Sequence, residues 1–229
     1  MSYGNSFQRT TPVVLNLIII NGLVFLAQSL FGGLETFNRI NDLFALHHYK
    51  SVEFRPYQLV THMFMHGGLM HILFNMFALW MFGTMMERVW GPKRFLIFYL
   101  VCGLGAGLTQ LASYAYTYWP LDHSVLSPEM FDQYQQVLRA NCTVGASGAI
   151  MGVLAAFGYL FPNTQLMIIP IPIPVKAKWA ILGFIALDIF GAFSNTAGDN
   201  VAHFAHIGGA VIGFLIVFIW NKTNKRSLF

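Results

Sequence analysis

The chain has 229 residues, of which 56% are hydrophobic and only 10% charged, with a mean hydropathy of +0.57. A soluble domain carries about 25% charged residues, so the polar surface here is too small to wrap a water-facing globule, and the length reads as a bundle of spans of ~20 residues each. The net charge of +4 sits in short clusters between apolar runs, with no basic stripe, which excludes a nucleic-acid partner.

Six apolar stretches follow one another. The first, about Pro12 to Phe31, opens on a proline suited to a first helical turn. Arg9 precedes it, but the run is long for a signal-peptide core and no small-x-small cleavage site follows, so it reads as a retained span. The outer segment from Phe31 to Gly67 holds Phe37, Ile40, Leu43, Phe44, Leu46, Tyr49, Phe54 and Tyr57. It is too apolar for a solvated linker and is expected to form short helices associated with the membrane. The second stretch runs from about Gly68 to Met86, closed by Glu87-Arg88, and the third from about Arg94 to Tyr114. Tyr114 to Cys142 is more polar and reads as a structured surface loop. The fourth stretch, about Ser147 to Phe161, stops at Pro162-Asn163. The segment Ile169-Pro170-Ile171-Pro172-Ile173-Pro174 cannot be regular helix, because each proline removes a donor and disfavours helix before it; a stiff extended turn is expected. The fifth stretch is about Ala177 to Phe193 and the sixth about Val201 to Trp220. No repeat or separate soluble domain is visible, so residues 1–229 are taken as one six-span unit with short cytoplasmic tails at about 1–11 and 221–229. Cys102 falls in mid-span and Cys142 just before a span, which places them at different depths as small apolar fillers, not as a disulfide.

Lysine and arginine set the orientation. With both termini in the cytoplasm, Arg9, Arg88, Lys93, Arg94, Lys176, Lys178, Lys222, Lys225 and Arg226 fall inside, and only Arg39, Lys50, Arg55 and Arg139 outside. That bias fits an N-in, C-in protein. The outer mouths of stretches two, four and six then share one depth. They carry His62, His66, His71 and Asn75; Ser147; and His203 and His206.

Ser147 and His206 are each followed by a small-residue ladder, Gly148-x-x-x-Gly152 and Gly209-x-x-x-Gly213, of the kind that lets two helices approach closely in lipid. A serine beside an imidazole is a nucleophile beside a base. His71 and Asn75, spaced i, i+4, lie on one helix face and with the Ser147 backbone N–H would stabilise an oxyanion. The sixth stretch offers no obvious third acid nearby, and Asp188 and Asp199 are the only candidates on that side, so a serine–histidine dyad is the simpler proposal. His203, one turn before His206, is the alternative base; it is read as a hydrogen-bonding group of the outer cap. Glu87 and Arg88 read as a structural ion pair or cap.

Four motifs carry a family resemblance: His71-Ile-Leu-Phe-Asn75, Gly83-x-x-x-Glu87-Arg88-x-x-Gly91, Gly145-Ala-Ser147-Gly148, and Ala205-His206-Ile-Gly-Gly209. In this order, across nearly the whole chain, they resemble the rhomboid family of intramembrane serine proteases. The resemblance implies an all-α, polytopic bundle of six transmembrane helices, with a membrane-associated first outer loop. It implies Ser147 as nucleophile, His206 as general base, and an oxyanion hole of His71, Asn75 and the Ser147 backbone N–H. The fifth span and the loop after it would gate the site. Substrates would be single-span membrane proteins cleaved through an acyl-enzyme, with lipid as the surrounding partner and neither cofactor nor metal. A bacterial inner membrane is the expected location, and no feature selects an oligomeric state. Two positions depart from the family pattern. Phe54-Arg55 stands where many members have Trp-Arg, and Met151 stands where some have a tyrosine stacked on the catalytic histidine.

The competing readings are an inactive client-binding relative, a histidine-ligated metal or haem protein, and a small transporter. Intact Ser147 and His206 oppose the first. The lack of an accompanying carboxylate or thiolate, and of His-Glu-x-x-His, opposes the second. The third would need interrupted spans and inverted repeats, and neither is evident.

Overall fold

A computed structural model of the chain describes residues 10–30, 39–40, 42–122, 124–167, 173–194 and 201–223. The main helices are, in order, α1 (Pro12–Leu30), α2 (Leu69–Trp90), α3 (Pro92–Thr117), α4 (Ser147–Leu160), α5 (Ala177–Phe193) and α6 (His203–Thr223). α1, α2, α3 and α6 are each long and apolar enough to cross a membrane, and α4 is a shorter apolar helix. Their outward faces carry Leu15, Leu23, Phe74, Trp80, Phe190 and Leu215, all exposed. Such a continuous apolar surface belongs against lipid. The protein is an integral membrane protein, a polytopic helical bundle.

α4 stands at the centre. Every residue from Gly148 to Phe157 is buried, as expected for a helix apolar on all sides. α6 packs against it along the two glycine ladders. A Cβ on Gly209 would run into the Gly148 carbonyl, and one on Gly213 would lie 2.5 Å from the Gly152 Cα. A Cβ on Gly152 would lie 2.5 Å from Cys102 Sγ of α3 and 2.9 Å from the Gly209 carbonyl of α6. The absent side chains let α4 and α6 pack backbone to backbone and seat the small Cys102 and Ala106 side chains of α3 against α4.

α2 contains a π-helical turn at Leu79–Gly83, the kind of local widening that re-aims side chains on either side of it. The helix does not close at Glu87-Arg88, as its charges had implied, but continues to Trp90 and ends at Gly91, whose φ of +80° suits glycine. The reason lies in Glu87. It is buried, and its carboxylate accepts the backbone N–H groups of Val13 (3.0 Å) and Val14 (2.8 Å) at the start of α1. These are orphan donors of a helix N-terminus, so Glu87 is a cap supplied by another helix and not a mark of the membrane surface.

The first outer loop is organised by fully buried Gln58, in a short helical turn Gln58–Thr61. Its side-chain amide donates to the carbonyls of Asp42, Leu43 and Glu53, and its oxygen accepts from the Arg55 N–H. The Arg55 guanidinium donates to the carbonyls of Val52 and Phe54. The polar segment before α4 forms a helix at Pro128–Ala140, capped by Ser127. Arg139 of that helix pairs with Asp42, with Nε 2.8 Å from Oδ1. The Asp42 carboxylate holds the Arg139 guanidinium above its usual range. Leu46 and Thr143 exchange backbone hydrogen bonds at 2.9 Å, so the two outer segments form one lid-like layer.

Between α4 and α5 the flanks of the proline-rich segment pair as an antiparallel hairpin, Gln165–Met167 against Pro174–Lys176. Pro174 starts its strand, where a missing N–H is tolerated. Residues 31–38, most of the Ile169–Pro174 run, Asp199 and most of both tails lie outside the described residues.

Candidate active site

Ser147 is the first residue of α4, after Gly145 and Ala146. Gly145 has φ +127°, in the region that favours glycine, and its N–H donates to the His62 carbonyl at 2.9 Å. A Cβ there would lie 2.8 Å from His71 Nε2 and 3.5 Å from Ser147 Oγ. The missing side chain is therefore the gap that lets His71 face Ser147. At the first turn of α4 the backbone N–H groups have no carbonyl within the helix to serve, and the helix dipole is positive there.

His206, in the first turn of α6, reaches Ser147 with Nε2 2.7 Å from Oγ. Both side chains are partly exposed. His71 lies on α2, half-buried, and its Nδ1 accepts the Gly67 N–H at 3.3 Å. A neutral imidazole that accepts at Nδ1 carries its proton on Nε2, the atom that faces Gly145 and Ser147. Asn75 is buried on the same helix face, and its Nδ2 donates to the His71 carbonyl at 3.0 Å. One N–H of that amide is thus engaged within α2 and one remains. Beside His71 lies a cavity of about 740 Å³ lined by Gly67, Leu69, Gln110, Tyr114, Thr143 and Val201. Across it, the hydroxyls of Tyr114 and Thr143 are 2.7 Å apart.

Ser147, His206, His71 and Asn75 thus come from α4, α6 and α2 to one end of the bundle. His203 does not join them at Ser147. His203 points to α5, where its Nδ1 is 2.7 Å from Asp188 Oδ1. Met151 is buried in the apolar core. Sequence reasoning left Asp188 and Asp199 as the only acid candidates on that side and preferred a dyad. The structure brings its Oδ1 to 2.9 Å from His206 Nδ1 as well. The available signal was a lone carboxylate in an apolar helix, a group that lipid tolerates only with partners.

His62 and His66 lie outside this constellation, before α2. Burial lowers the pKa of each to about 4, and for His66 the neighbouring His71 adds to the effect. His62 Nδ1 is 2.8 Å from the Gln58 carbonyl, so its neutral ring is a structural donor. Cys142, at the cavity rim, is raised to about 11 by burial, which leaves an unreactive thiol. Among the described residues, no three His, Cys, Asp or Glu side chains gather as a metal site would.

The fold and this end of the bundle define a polytopic membrane protein in which a serine and a histidine from two helices share a hydrogen bond. A family model of the Rhomboid domain matches residues 53–223, and the chain belongs to the rhomboid family. It is 29% identical over 227 residues to Rhomboid protease GlpG of Haemophilus influenzae, covering 98% of each chain. It is 30% identical over 209 residues to Rhomboid protease AarA of Providencia stuartii, covering 89% of this chain and 70% of that one. To RHOMBOID-like protein 12, mitochondrial, of Arabidopsis thaliana it is 30% identical over 213 residues, covering 93% of this chain. It spans only 59% of that plant relative's length.

Proposed function

We propose that this protein is an intramembrane serine endopeptidase that cleaves single-span membrane proteins through a Ser147 acyl-enzyme, with His206 as general base. The observation that carries this reading is the 2.7 Å separation of Ser147 Oγ and His206 Nε2, between helices locked together by glycine. The names of the bacterial relatives support it.

In the acylation step His206 Nε2 takes the Ser147 proton as Oγ attacks the scissile carbonyl carbon. The oxyanion receives the Ser147 backbone N–H, the His71 Nε2–H and the remaining Asn75 N–H. The intermediate collapses with loss of the C–N bond, and His206 returns its proton to the leaving amine. Water, activated by the same imidazole, then releases the acyl group. The cavity beside His71 is the path proposed for that water.

Depth follows from helix length. α4 has 14 residues, hence about 21 Å, against a hydrocarbon core of about 30 Å. With its inner end at the cytoplasmic face, Ser147 lies roughly 10 Å below the outer surface. We place α1 to α6 as six spans in a bacterial plasma membrane, N-in and C-in, on the lysine and arginine bias.

A fluorophosphonate probe tests the nucleophile. Detergent-solubilised wild type should be labelled and Ser147→Ala should not; undiminished labelling of the variant removes Ser147 from the mechanism.

A further inference from the structure

His206 has two ring nitrogens, and the proposed function uses one. The other, Nδ1, lies 2.9 Å from Asp188 Oδ1, and the same oxygen lies 2.7 Å from His203 Nδ1. Asp188 is buried near the outer end of α5, in a helix otherwise composed of apolar and small residues after Trp179. An ionised carboxylate only accepts hydrogen bonds. At these distances each histidine must therefore present an Nδ1–H to it. For a neutral His206, that leaves Nε2 without a proton and free to accept one from Ser147 Oγ.

We propose that Asp188 is a positioning residue that completes a Ser147–His206–Asp188 relay, fixing the His206 tautomer and ring plane and stabilising the imidazolium formed during acylation. The proposal rests on the serine-protease reading above. Three points support it. An isolated carboxylate among apolar side chains is costly, so its retention there needs partners. Position 151 is a methionine, so it offers the imidazole no aromatic ring to stack on. His203 gives the carboxylate a second donor from α6, which holds Oδ1 at its distance from His206 through two points one turn apart. No proton moves to Asp188. It stays ionised while His206 gains and returns the Ser147 proton.

The test compares wild type with Asp188→Asn, Asp188→Glu and His203→Ala on a model single-span substrate in detergent, with thermal unfolding recorded for each. It also reads the His206 tautomer from the nitrogen NMR spectrum of protein labelled with ¹⁵N-histidine, with the resonance assigned by its loss in His206→Gln. Asparagine keeps the shape but offers an amide that can turn its N–H₂ toward Nδ1. The resulting tautomer carries its proton on Nε2 and cannot accept from Ser147. Asp188→Asn should therefore lower kcat by about 10²- to 10⁴-fold, with KM unchanged and the His206 proton shifted toward Nε2. Asp188→Glu should recover part of kcat, and His203→Ala, which removes one of the two donors that hold Asp188, should lose part of it. An Asp188→Asn variant with wild-type kcat overturns the proposal. So does one whose activity and unfolding temperature fall together while the His206 tautomer stays unchanged, since Asp188 is then only a staple between α5 and α6. The protease reading fails separately, if Ser147→Ala cleaves as well as wild type. The spectrum needs no turnover, so it still decides whether Asp188 sets the tautomer.

Discussion

Glu87, near the inner end of α2, holds the backbone N–H of Val14 at 2.8 Å and thereby closes the first turn of α1. The carboxylate also takes the Val13 N–H at 3.0 Å, so one side chain satisfies two donors of a helix 73 residues away. Gly83, one turn earlier on α2, leaves the space that lets α1 approach; a Cβ there would be 3.1 Å from Val14 and 3.2 Å from Phe95.

Removing this cap should weaken the seat of α1. Glu87→Ala leaves two buried donors unmet and should lower unfolding stability by roughly 2–3 kcal/mol. Glu87→Gln keeps one acceptor and should recover about half of that loss. Unfolding in mild detergent titrated with a denaturing detergent measures both. Equal stability of Glu87→Ala and wild type would show that α1 needs no cap from α2.

The glycine seam between α4 and α6 should be intolerant of a single methyl group. Gly209→Ala drives a carbon into the Gly148 backbone carbonyl. The helices must separate, at a cost of about 1–3 kcal/mol or more, and serine-probe labelling should fall because Ser147 and His206 ride on the two displaced helices. Gly183 of α5 has nothing within 4 Å of its Cβ position. Gly183→Ala should therefore unfold within about 1 kcal/mol of wild type, on the stabilising side. A Gly209→Ala protein with full stability and labelling would remove the seam as the device that joins the two residues.

Burial of His62 gives the fold a pH limit. Its pKa is near 4 in the folded protein, against about 6.5 in the unfolded chain. Between those values the unfolded state binds more protons, so stability is full above pH 6.5 and is lost as the pH falls toward 4. The loss from His62 is on the order of 3 kcal/mol at most. Unfolding temperatures measured from pH 7.5 to 4 should fall over this window, and less steeply in His62→Gln. An identical slope in that variant assigns the acid sensitivity to other groups.

Ser147, His206 and the two ladders were legible because their logic is local. Small residues at i, i+4 mark a close helix contact wherever the helix sits, and a polar residue opening an apolar run marks its mouth. His71 and Asn75 were legible for the same reason. Asp188 was visible as one of two acid candidates, yet its contact with His206 was not. Which way a helix faces depends on rotation about its axis, and the apolar surface of α5 is too uniform to encode it. Glu87 was half legible for a related reason. The sequence read it as an ion pair or a cap, and only packing against α1 shows which helix it caps. The Gln58 hub left no pattern at all, because irregular backbone offers its carbonyls at positions that no sequence period describes.

The most direct measurement is cleavage of a model single-span substrate, reconstituted in liposomes, by wild type and Ser147→Ala side by side. The proposed mechanism requires two defined fragments from wild type, cut within or close to the bilayer, and none from the variant. Equal cleavage by both proteins would contradict it, as would a folded, probe-reactive wild type that leaves every such substrate intact.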